Sequence, residues 1–183
     1  DLHQGSTSRM INEARIRCGR HHRHHEACLE LAKVFGCGYV LDQKGPEGQL
    51  ARAVVDEDVP AIDPELGGSV GWDEESIEYG VRGVRNVLAY YGFTDGTVET
   101  EPQTRATGFD RYNAPAGGLV SYSKDLGERV RRGDALFEVT DVFGAVKETV
   151  TADAGGIFWR SRRLPQVATG EYVCSIGTDI DEY

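Results

Sequence analysis

A short segment near the start of the chain is rich in residues that bind transition metals. Between Cys18 and Cys28, four further positions carry imidazoles: His21, His22, His24 and His25. Thiolates and imidazoles are ligands for zinc, nickel and copper, and in a helix His21 and His25 would share one face. No known zinc motif has this spacing. The segment therefore predicts a metal site, adventitious metal binding by the four histidines, or a solvated loop that enters a helix.

A second candidate ligand is His3, which follows Asp1 and Leu2 at the start of the chain. The only methionine is Met10, so nothing marks a natural translation start. No apolar run near the N-terminus is long enough for a signal peptide or a membrane span. We interpret the chain as a portion of a larger functional unit, whether a truncation, a proteolytic product or a natural short protein.

The composition limits the classes of partner. Acidic residues outnumber basic ones 30 to 20, which gives the 183-residue chain a formal charge of -10 and disfavours nucleic acid and membranes as partners. Only 4 of the 20 basic residues are lysines, leaving 16 arginines, a balance typical of a halophilic surface or of an ordinary acidic protein. Four cysteines without a Cys-x-x-Cys pair favour a cytoplasmic location.

The first half of the chain alternates helical and strand patterns. Apolar spacing predicts helices over residues 24–35, 46–58 and 73–91, the last with a stripe made of Ile77, Val81, Val84, Leu88 and Tyr91. Short apolar runs predict strands at residues 38–41 and 59–62. This alternation favours a mainly parallel sheet with flanking helices, which we assign to residues 1–95.

The second half is rich in strand patterns and repeats itself. Residues 96–105 lack an apolar period and are predicted to be a linker to a β-domain over residues 106–183. Within it, Ala116–Leu119 recurs as Ala154–Ile157, and Val130–Asp134 recurs as Val167–Glu171. Two such units can pair about a pseudo-twofold axis, as in the barrel-sandwich of lipoyl and biotinyl carrier domains, which this pattern resembles. The carrier lysine position falls on Ala145, and Lys147 is out of register.

The order of motifs along nearly the whole chain resembles one enzyme family. The motifs are Asp1–His3, Gly45–Gly48, Pro64–Gly67, the long helix from Asp73 to Tyr91, and Ala114–Gly118. This order is similar to the C-terminal portion of the succinylglutamate desuccinylase/aspartoacylase family, relatives of the zinc carboxypeptidases. The resemblance implies an α/β fold, the end of a zinc-carboxypeptidase-like mixed sheet, followed by an all-β barrel-sandwich domain.

The resemblance also implies roles for particular residues. His3 matches the family's third zinc ligand, which follows two ligands supplied by a His-x-x-Glu pair. Glu65, in its Glu-Leu-Gly context, matches the catalytic glutamate that moves a proton from the zinc-bound water to the leaving amine. Arg52 is a candidate for binding a substrate carboxylate, and a solvated arginine on a helix face is the alternative.

This chain departs from the family because it contains no His-x-x-Glu in the family position, so two of the three Zn²⁺ ligands are absent. We therefore expect a portion of a zinc-dependent hydrolase that removes an acyl group from an N-acyl amino acid or similar small carboxylate, inactive as this chain alone. The alternative is a noncatalytic assembly or binding module whose lipoyl-like domain lacks the carrier lysine. The acyl group, the choice between amide and ester, and self-association into a homo-oligomer stay open.

Overall fold

The computed structural model of the chain describes residues 1–5, 7–68 and 71–182. The first half combines helices with short strands. In chain order these are β1 (Ser8–Met10), β2 (Glu13–Ile16), α1 (His25–Phe35), β3 (Tyr39–Asp42), α2 (Leu50–Asp56), β4 (Asp63–Glu65) and α3 (Glu74–Tyr90). Among the described residues no helix is long and apolar enough to cross a membrane.

The second half consists of strands joined by turns. They are β5 (Thr104–Asn113), β6 (Gly118–Tyr122), β7 (Arg129–Val130), β8 (Ala135–Thr140), β9 (Val146–Thr151), β10 (Gly156–Arg162), β11 (Gln166–Val167) and β12 (Tyr172–Glu182). Residues 104 and 105 of the predicted linker therefore lie in β5, which shortens the linker.

Local signals placed two of the helices correctly. Helix α1 ends at Gly36, whose φ of 79° lies in the left-handed region that glycine adopts without strain. Helix α3 begins after Asp73, whose carboxylate accepts hydrogen bonds from the backbone N–H and the hydroxyl of Ser76. Helix α2 is shorter than predicted because the chain turns at Gly48, with φ 79°, before the helix starts.

The apolar stripe of α3 does not face the interior. Ile77, Val81, Val84 and Leu88 are all exposed, whereas the small or polar residues on the neighbouring face are buried. The reason is a close crossing with α1, in which Gly83 lies against the ring of Phe35. Only a residue without a side chain fits at that crossing, so backbone proximity, not hydrophobicity, decides which face of α3 is buried.

The described strands form one mixed sheet and one smaller sheet. In the larger sheet the order is β1–β10–β12–β5–β3–β2–β4, with β7 beside β10. The prediction of a mixed sheet with flanking helices is confirmed, but the prediction of mainly parallel strands is wrong. Among the described strand pairs only β2–β3 and β3–β5 are parallel, because the second half of the chain adds antiparallel strands to the same sheet. The sheet thus continues across the predicted boundary between the two halves.

The internal repeat of the second half has a structural counterpart. Strand β6 pairs with β11 and β10 pairs with β7, so each half of the repeat pairs with a strand of the other. The backbone N–H of Gly133 donates to Ala152 O at 2.8 Å, and that of Gly170 donates to Ala114 O at 2.8 Å. These two bonds are related by the sequence offsets of the repeat. The paired halves enclose a core that includes Leu136, Phe137, Phe158, Val173 and Ile176.

Strands β2 and β4 carry charged residues, although buried strands are usually apolar. The prediction of a strand at residues 59–62 is wrong, because the strand forms at Asp63–Glu65. The sequence pattern also does not predict β2. Every residue of β2 and β4 is nevertheless buried. Burial of these charged residues is tolerated because they form ion pairs with Arg15 of β2 and with Arg17, which directly follows β2.

Candidate metal centre and active site

The end of β4 brings His3 and Glu65 side by side. The backbone N–H of His3 donates to Pro64 O at 2.8 Å, and the N–H of Leu66 donates to His3 O at 2.8 Å. His3 and Glu65 are therefore direct partners in a parallel bridge, although they are 62 positions apart in sequence. The structure thus places both residues singled out by the sequence next to each other.

Two carboxylates surround the imidazole of His3. Its Nε2 lies 3.0 Å from Asp1 Oδ2 and 3.7 Å from Asp63 Oδ1. One potential ligand atom from each of these three residues lies within 4.8 Å of the other two. Within the described part of the chain, this is the one group of at least three side chains close enough together to hold a metal ion. Imidazole and carboxylate are the nitrogen and oxygen ligands that zinc accepts, so the donor set fits that ion.

Asp63 is held in place through one of its two carboxylate oxygens. Arg17 donates to Oδ2 from Nε at 2.8 Å and from Nη2 at 2.7 Å, and Gln49 donates to the same oxygen. The other oxygen, Oδ1, is buried and has no hydrogen-bond partner. Arg17 therefore fixes the carboxylate so that its free oxygen faces His3.

Glu65 is held by a second arginine. Nη1 of Arg15 lies 2.8 Å from Glu65 Oε1, and Arg15 also pairs with Glu13, which is fully buried. Glu13 in turn accepts a hydrogen bond from the indole of Trp159 on β10. A continuous polar chain thus runs from the β-rich half of the molecule to Glu65.

The buried charges in this chain oppose one another. Burial raises the pKa of Glu13 above its usual range, although Arg15 acts in the opposite direction. Burial acts to lower the pKa of Arg15, but Glu13 and Glu65 outweigh it and raise that pKa. Arg15 therefore stays positively charged between two carboxylates, which fixes the position of Glu65.

An open cleft lies beside the candidate site. It has a volume of about 300 Å³ and is lined by Leu2, His3, Leu66, Trp72 and Ile77 among others. The indole of Trp72 is 92% exposed. Such a cleft gives a small molecule access to His3 from solvent.

The first half of the chain matches a known catalytic domain. Residues 1–91 match the succinylglutamate desuccinylase/aspartoacylase catalytic domain. The chain belongs to this family. Members of the desuccinylase/aspartoacylase family are generally zinc-dependent, in agreement with the donor set around His3.

Two bacterial proteins illustrate the similarity. The chain is 27% identical over 163 residues to the N-alpha-acetyl-L-2,4-diaminobutyric acid deacetylase of Halomonas elongata, covering 84% of this chain and 47% of the relative. Its fold matches the ectoine utilization protein EutE (DoeB) from Ruegeria pomeroyi with a TM-score of 0.88, at 23% identity over 97% of this chain and 59% of that one.

A desuccinylase/aspartoacylase structure from Rhodobacter sphaeroides gives a TM-score of 0.84 at 21% identity, with 100% of this chain and 57% of that chain covered. The chain thus spans about half the length of the relatives it matches.

Arg52 lies apart from the group around His3. Its Nη1 donates to the backbone carbonyl of Gly45 at 2.8 Å, and its other close ionic neighbours are Glu47 and Asp56. None of these described contacts joins Arg52 to His3 or Glu65. The geometry therefore supports a role in fixing the loop before α2.

The histidine-rich segment does not converge on one point. His25 is buried and bonds both carboxylate oxygens of Asp42 at 3.0 Å, His24 lies 3.2 Å from Asp58, and His22 lies 3.9 Å from Asp56. These three imidazoles, with the neighbouring His21, are therefore not brought together as a metal site in the described structure. His25 instead ties α1 to β3.

Sequence reasoning missed the residues that support the site. It assigned no role to Glu13, Arg15, Arg17 and Asp63. The available signal was the alternation of charge in Glu13-Ala14-Arg15-Ile16-Arg17, which has the two-residue period of a strand. Because the charged positions interrupt the apolar pattern, this segment did not resemble a buried strand.

Proposed function

We propose that this chain is the part of a zinc-dependent deacylase that carries one zinc ligand and the proton-transfer group. The reaction would remove an acyl group from an N-acyl amino acid or a similar small carboxylate, by cleavage of an amide or ester bond. The direct backbone pairing of His3 with Glu65 carries this proposal, because it joins a metal ligand to a carboxylate able to move a proton. The Halomonas relative, a deacetylase of an N-acetylated amino acid, supports the substrate class.

Each residue of the site has a defined task. His3 would hold the zinc, which would supply Lewis-acid chemistry by lowering the pKa of a bound water to about 7 and polarising the substrate carbonyl. Glu65 accepts the proton of the attacking water and donates it to the leaving nitrogen as the C–N bond breaks. Arg15 keeps the carboxylate of Glu65 at the strand end, and the cleft beside His3 admits the substrate.

The remaining features of this proposal concern the rest of the enzyme. Two further zinc ligands come from a His-x-x-Glu outside these 183 residues, so the chain alone is inactive. The β-rich half, 106–183, is a barrel-sandwich that flanks the mouth of the site, an arrangement supported by the reciprocal strand pairing of its repeat. The acidic, arginine-rich composition supports a halophilic cytoplasmic protein.

An assay of acid released from N-acyl amino acids distinguishes this proposal from a function in assembly without catalysis. The 183-residue chain, supplied with zinc and a panel of N-acetyl and N-succinyl amino acids, should release no acid above the rate with zinc alone. The longest polypeptide encoded in frame with it should be active. Glu65→Gln in that polypeptide should lower kcat at least about 100-fold, in line with the loss of a general acid-base group.

Two outcomes would contradict the proposal. Turnover by the 183-residue chain at a rate typical of the family would show that this chain contains a complete active site. Full activity of the Glu65→Gln enzyme would remove Glu65 from the reaction. A matched control is Glu26→Gln, which alters an exposed carboxylate on α1 and should leave kcat unchanged.

A second candidate function, assembly without catalysis, is supported by the hairpin between β8 and β9. Asp141 Oδ1 accepts hydrogen bonds from the backbone N–H groups of Phe143 and Ala145 at 2.8 and 2.9 Å, so the tip is well ordered. Phe143 is 93% exposed there. This function predicts that the chain sediments as an oligomer and that Phe143→Ser sediments as a monomer. Identical sedimentation of the two would exclude it.

A further inference from the structure

We propose that Cys18 and Cys28 form a redox modification site, at which a low-molecular-weight disulfide converts the two buried thiols into a reversible disulfide bond. Cys18 follows the end of β2 by two positions, and Cys28 is the fourth residue of α1. The bond would therefore join the strand end to the helix. Both cysteines lie outside the group around His3, so this proposal stands apart from the proposed deacylase function.

The two cysteines share one interior. Cys18 is 3% exposed and Cys28 is 0% exposed, and both belong to the apolar core between β2 and α1. Helix α1 packs directly against β2. On α1, Cys28, Ala32 and Phe35 recur at the spacing of one helix face, which is the buried face. The strand end and the helix therefore each contribute one thiol to the same core.

The two thiols also interact directly. Burial, followed by the charge and the side-chain hydrogen bond of Cys28, raises the pKa of the Cys18 thiol to about 12. Burial also raises the pKa of Cys28, although hydrogen bonds with the backbone of Ala61 and with Cys18 act in the opposite direction. A disulfide needs Cβ atoms about 3.5–4.5 Å apart, so thiols that already interact can be joined with little backbone movement.

The other two cysteines provide a comparison within the same chain. Burial raises the pKa of Cys37 and of Cys174 to about 12, but no thiol is among the described groups that act on either of them. Cys37 is 9 positions from Cys28, and Cys18 is 10 positions from it. In an unfolded chain, loop closure would therefore favour the two pairs about equally. A preference for Cys18 with Cys28 would thus come from the folded arrangement.

The reaction is a two-step thiol–disulfide exchange. One thiolate of the pair attacks a sulfur of the small disulfide, so a mixed disulfide forms with the protein and one small thiolate leaves. The neighbouring thiolate then attacks the mixed disulfide and releases the second small thiolate. Two protein thiols are oxidised, one small disulfide is reduced to two thiols, and the two cysteine protons pass to the leaving groups. An isolated cysteine has no second thiol, so its mixed disulfide can only revert.

The bond would restrain a segment that supports the candidate active site. Arg17 directly precedes Cys18 and donates to Asp63, and β2 carries the arginine that holds Glu65. A disulfide stabilises a protein mainly by restricting its unfolded chain. For a short closed loop in a chain of this size, we expect the melting temperature to rise by about 5 °C or more.

Peptide mapping of the purified 183-residue chain tests this proposal. The reduced chain is treated with oxidised glutathione in buffer and in urea, free thiols are alkylated, and tryptic peptides are identified by mass spectrometry. Trypsin places Cys18, Cys28 and Cys37 on separate peptides, residues 18–20, 24–33 and 34–44. In urea the Cys18–Cys28 and Cys28–Cys37 cross-links should form in comparable amounts. In buffer their ratio should be at least about 10-fold higher.

Two further measurements complete the test. Because burial slows the reaction of both thiols, the chain is also refolded from urea in a glutathione redox buffer, which exposes every cysteine before folding. The melting temperature of the cross-linked chain is then compared before and after reduction with dithiothreitol. Cys37→Ala is the matched control and should keep both the cross-link and the rise in melting temperature, whereas Cys18→Ala should lose both. The peptide ratio is measured on the wild-type chain, so it does not depend on the folding of a variant.

Three results would overturn the proposal. The first is the absence of the Cys18–Cys28 cross-link both in the treated folded chain and after refolding. The second is an equal ratio of cross-links in buffer and in urea. The third is a fully cross-linked chain that melts at the temperature of the reduced chain. None of these results bears on the proposed deacylase activity, which the Glu65→Gln enzyme tests through kcat.

Discussion

Replacing Gly83 with alanine should destabilise the chain, even though alanine is the better helix former. Gly83 lies within α3 and faces Phe35 of α1. A Cβ on Gly83 would lie 2.4, 2.5 and 2.6 Å from three ring carbons of Phe35. Carbon atoms in good contact are about 3.5–4.0 Å apart, so the ring or the helix must move by about 1 Å. Phe35 is buried in the core beneath α1, which leaves its ring little room.

Two opposing effects set the size of the change. Alanine in place of glycine in a helix interior gains about 1 kcal/mol. Overpacking a buried contact costs about 1–3 kcal/mol, and three ring atoms place Gly83 near the upper end. We therefore expect Gly83→Ala to lower the free energy of unfolding by about 1–2 kcal/mol.

Gly80, one turn earlier on α3, is the matched control. A Cβ there would meet Leu66 Cδ1 at 2.7 Å, while the next Leu66 atoms are at 3.9 and 4.0 Å. A single terminal methyl can rotate away, so Gly80→Ala should match the wild type or gain up to about 1 kcal/mol. Urea unfolding followed by far-UV circular dichroism measures both variants. The reasoning is refuted if Gly83→Ala is as stable as the wild type, or if both variants lose equal stability.

Other expected outcomes follow from the same structure. Trp159→Phe should lower the free energy of unfolding by at least about 1.5 kcal/mol in urea titrations, because Glu13 loses a charge-assisted hydrogen bond, and an unchanged value would contradict that bond. Burial raises the pKa of the thiols of Cys37 and Cys174 to about 12, so a disulfide reagent at pH 8 should label neither until denaturant is added. Arg52→Ala should lower the melting temperature without altering KM in the longer active polypeptide, whereas a raised KM would favour substrate binding. Raising KCl to about 1 M should increase the melting temperature, because salt screens the repulsion within the acidic chain, and a fall would argue against a halophilic surface.

The arrangement around Glu65 makes the two halves of the molecule interdependent. Trp159 of β10 contacts Tyr39 and Phe109 edge to face, with ring centroids 5.4 and 6.5 Å away, and bonds Glu13. Glu13 holds Arg15, which holds Glu65. A change in the β-rich half can therefore reach the candidate catalytic carboxylate through three side-chain contacts.

The sequence alone determined the features that depend on neighbouring residues. Apolar spacing with Asp73 and Gly36 as end signals located α3 and the end of α1. The repeated glycine turns indicated paired halves, and the order of motifs identified the family and selected His3 and Glu65. Each of these signals depends on neighbouring residues or on the order of motifs along the chain, so it can be read without knowing which distant segments meet.

Only the tertiary structure decided which charged residues are buried together. Arg17 and Asp63 are 46 positions apart, and the indole of Trp159 is 146 positions from Glu13. A charged strand is stable in the interior only when such distant partners neutralise it, so hydrophobicity could predict neither β2 nor β4. For the same reason the sequence singled out His3 but not the neighbouring Asp63, whose free oxygen faces His3 because Arg17 holds the other one.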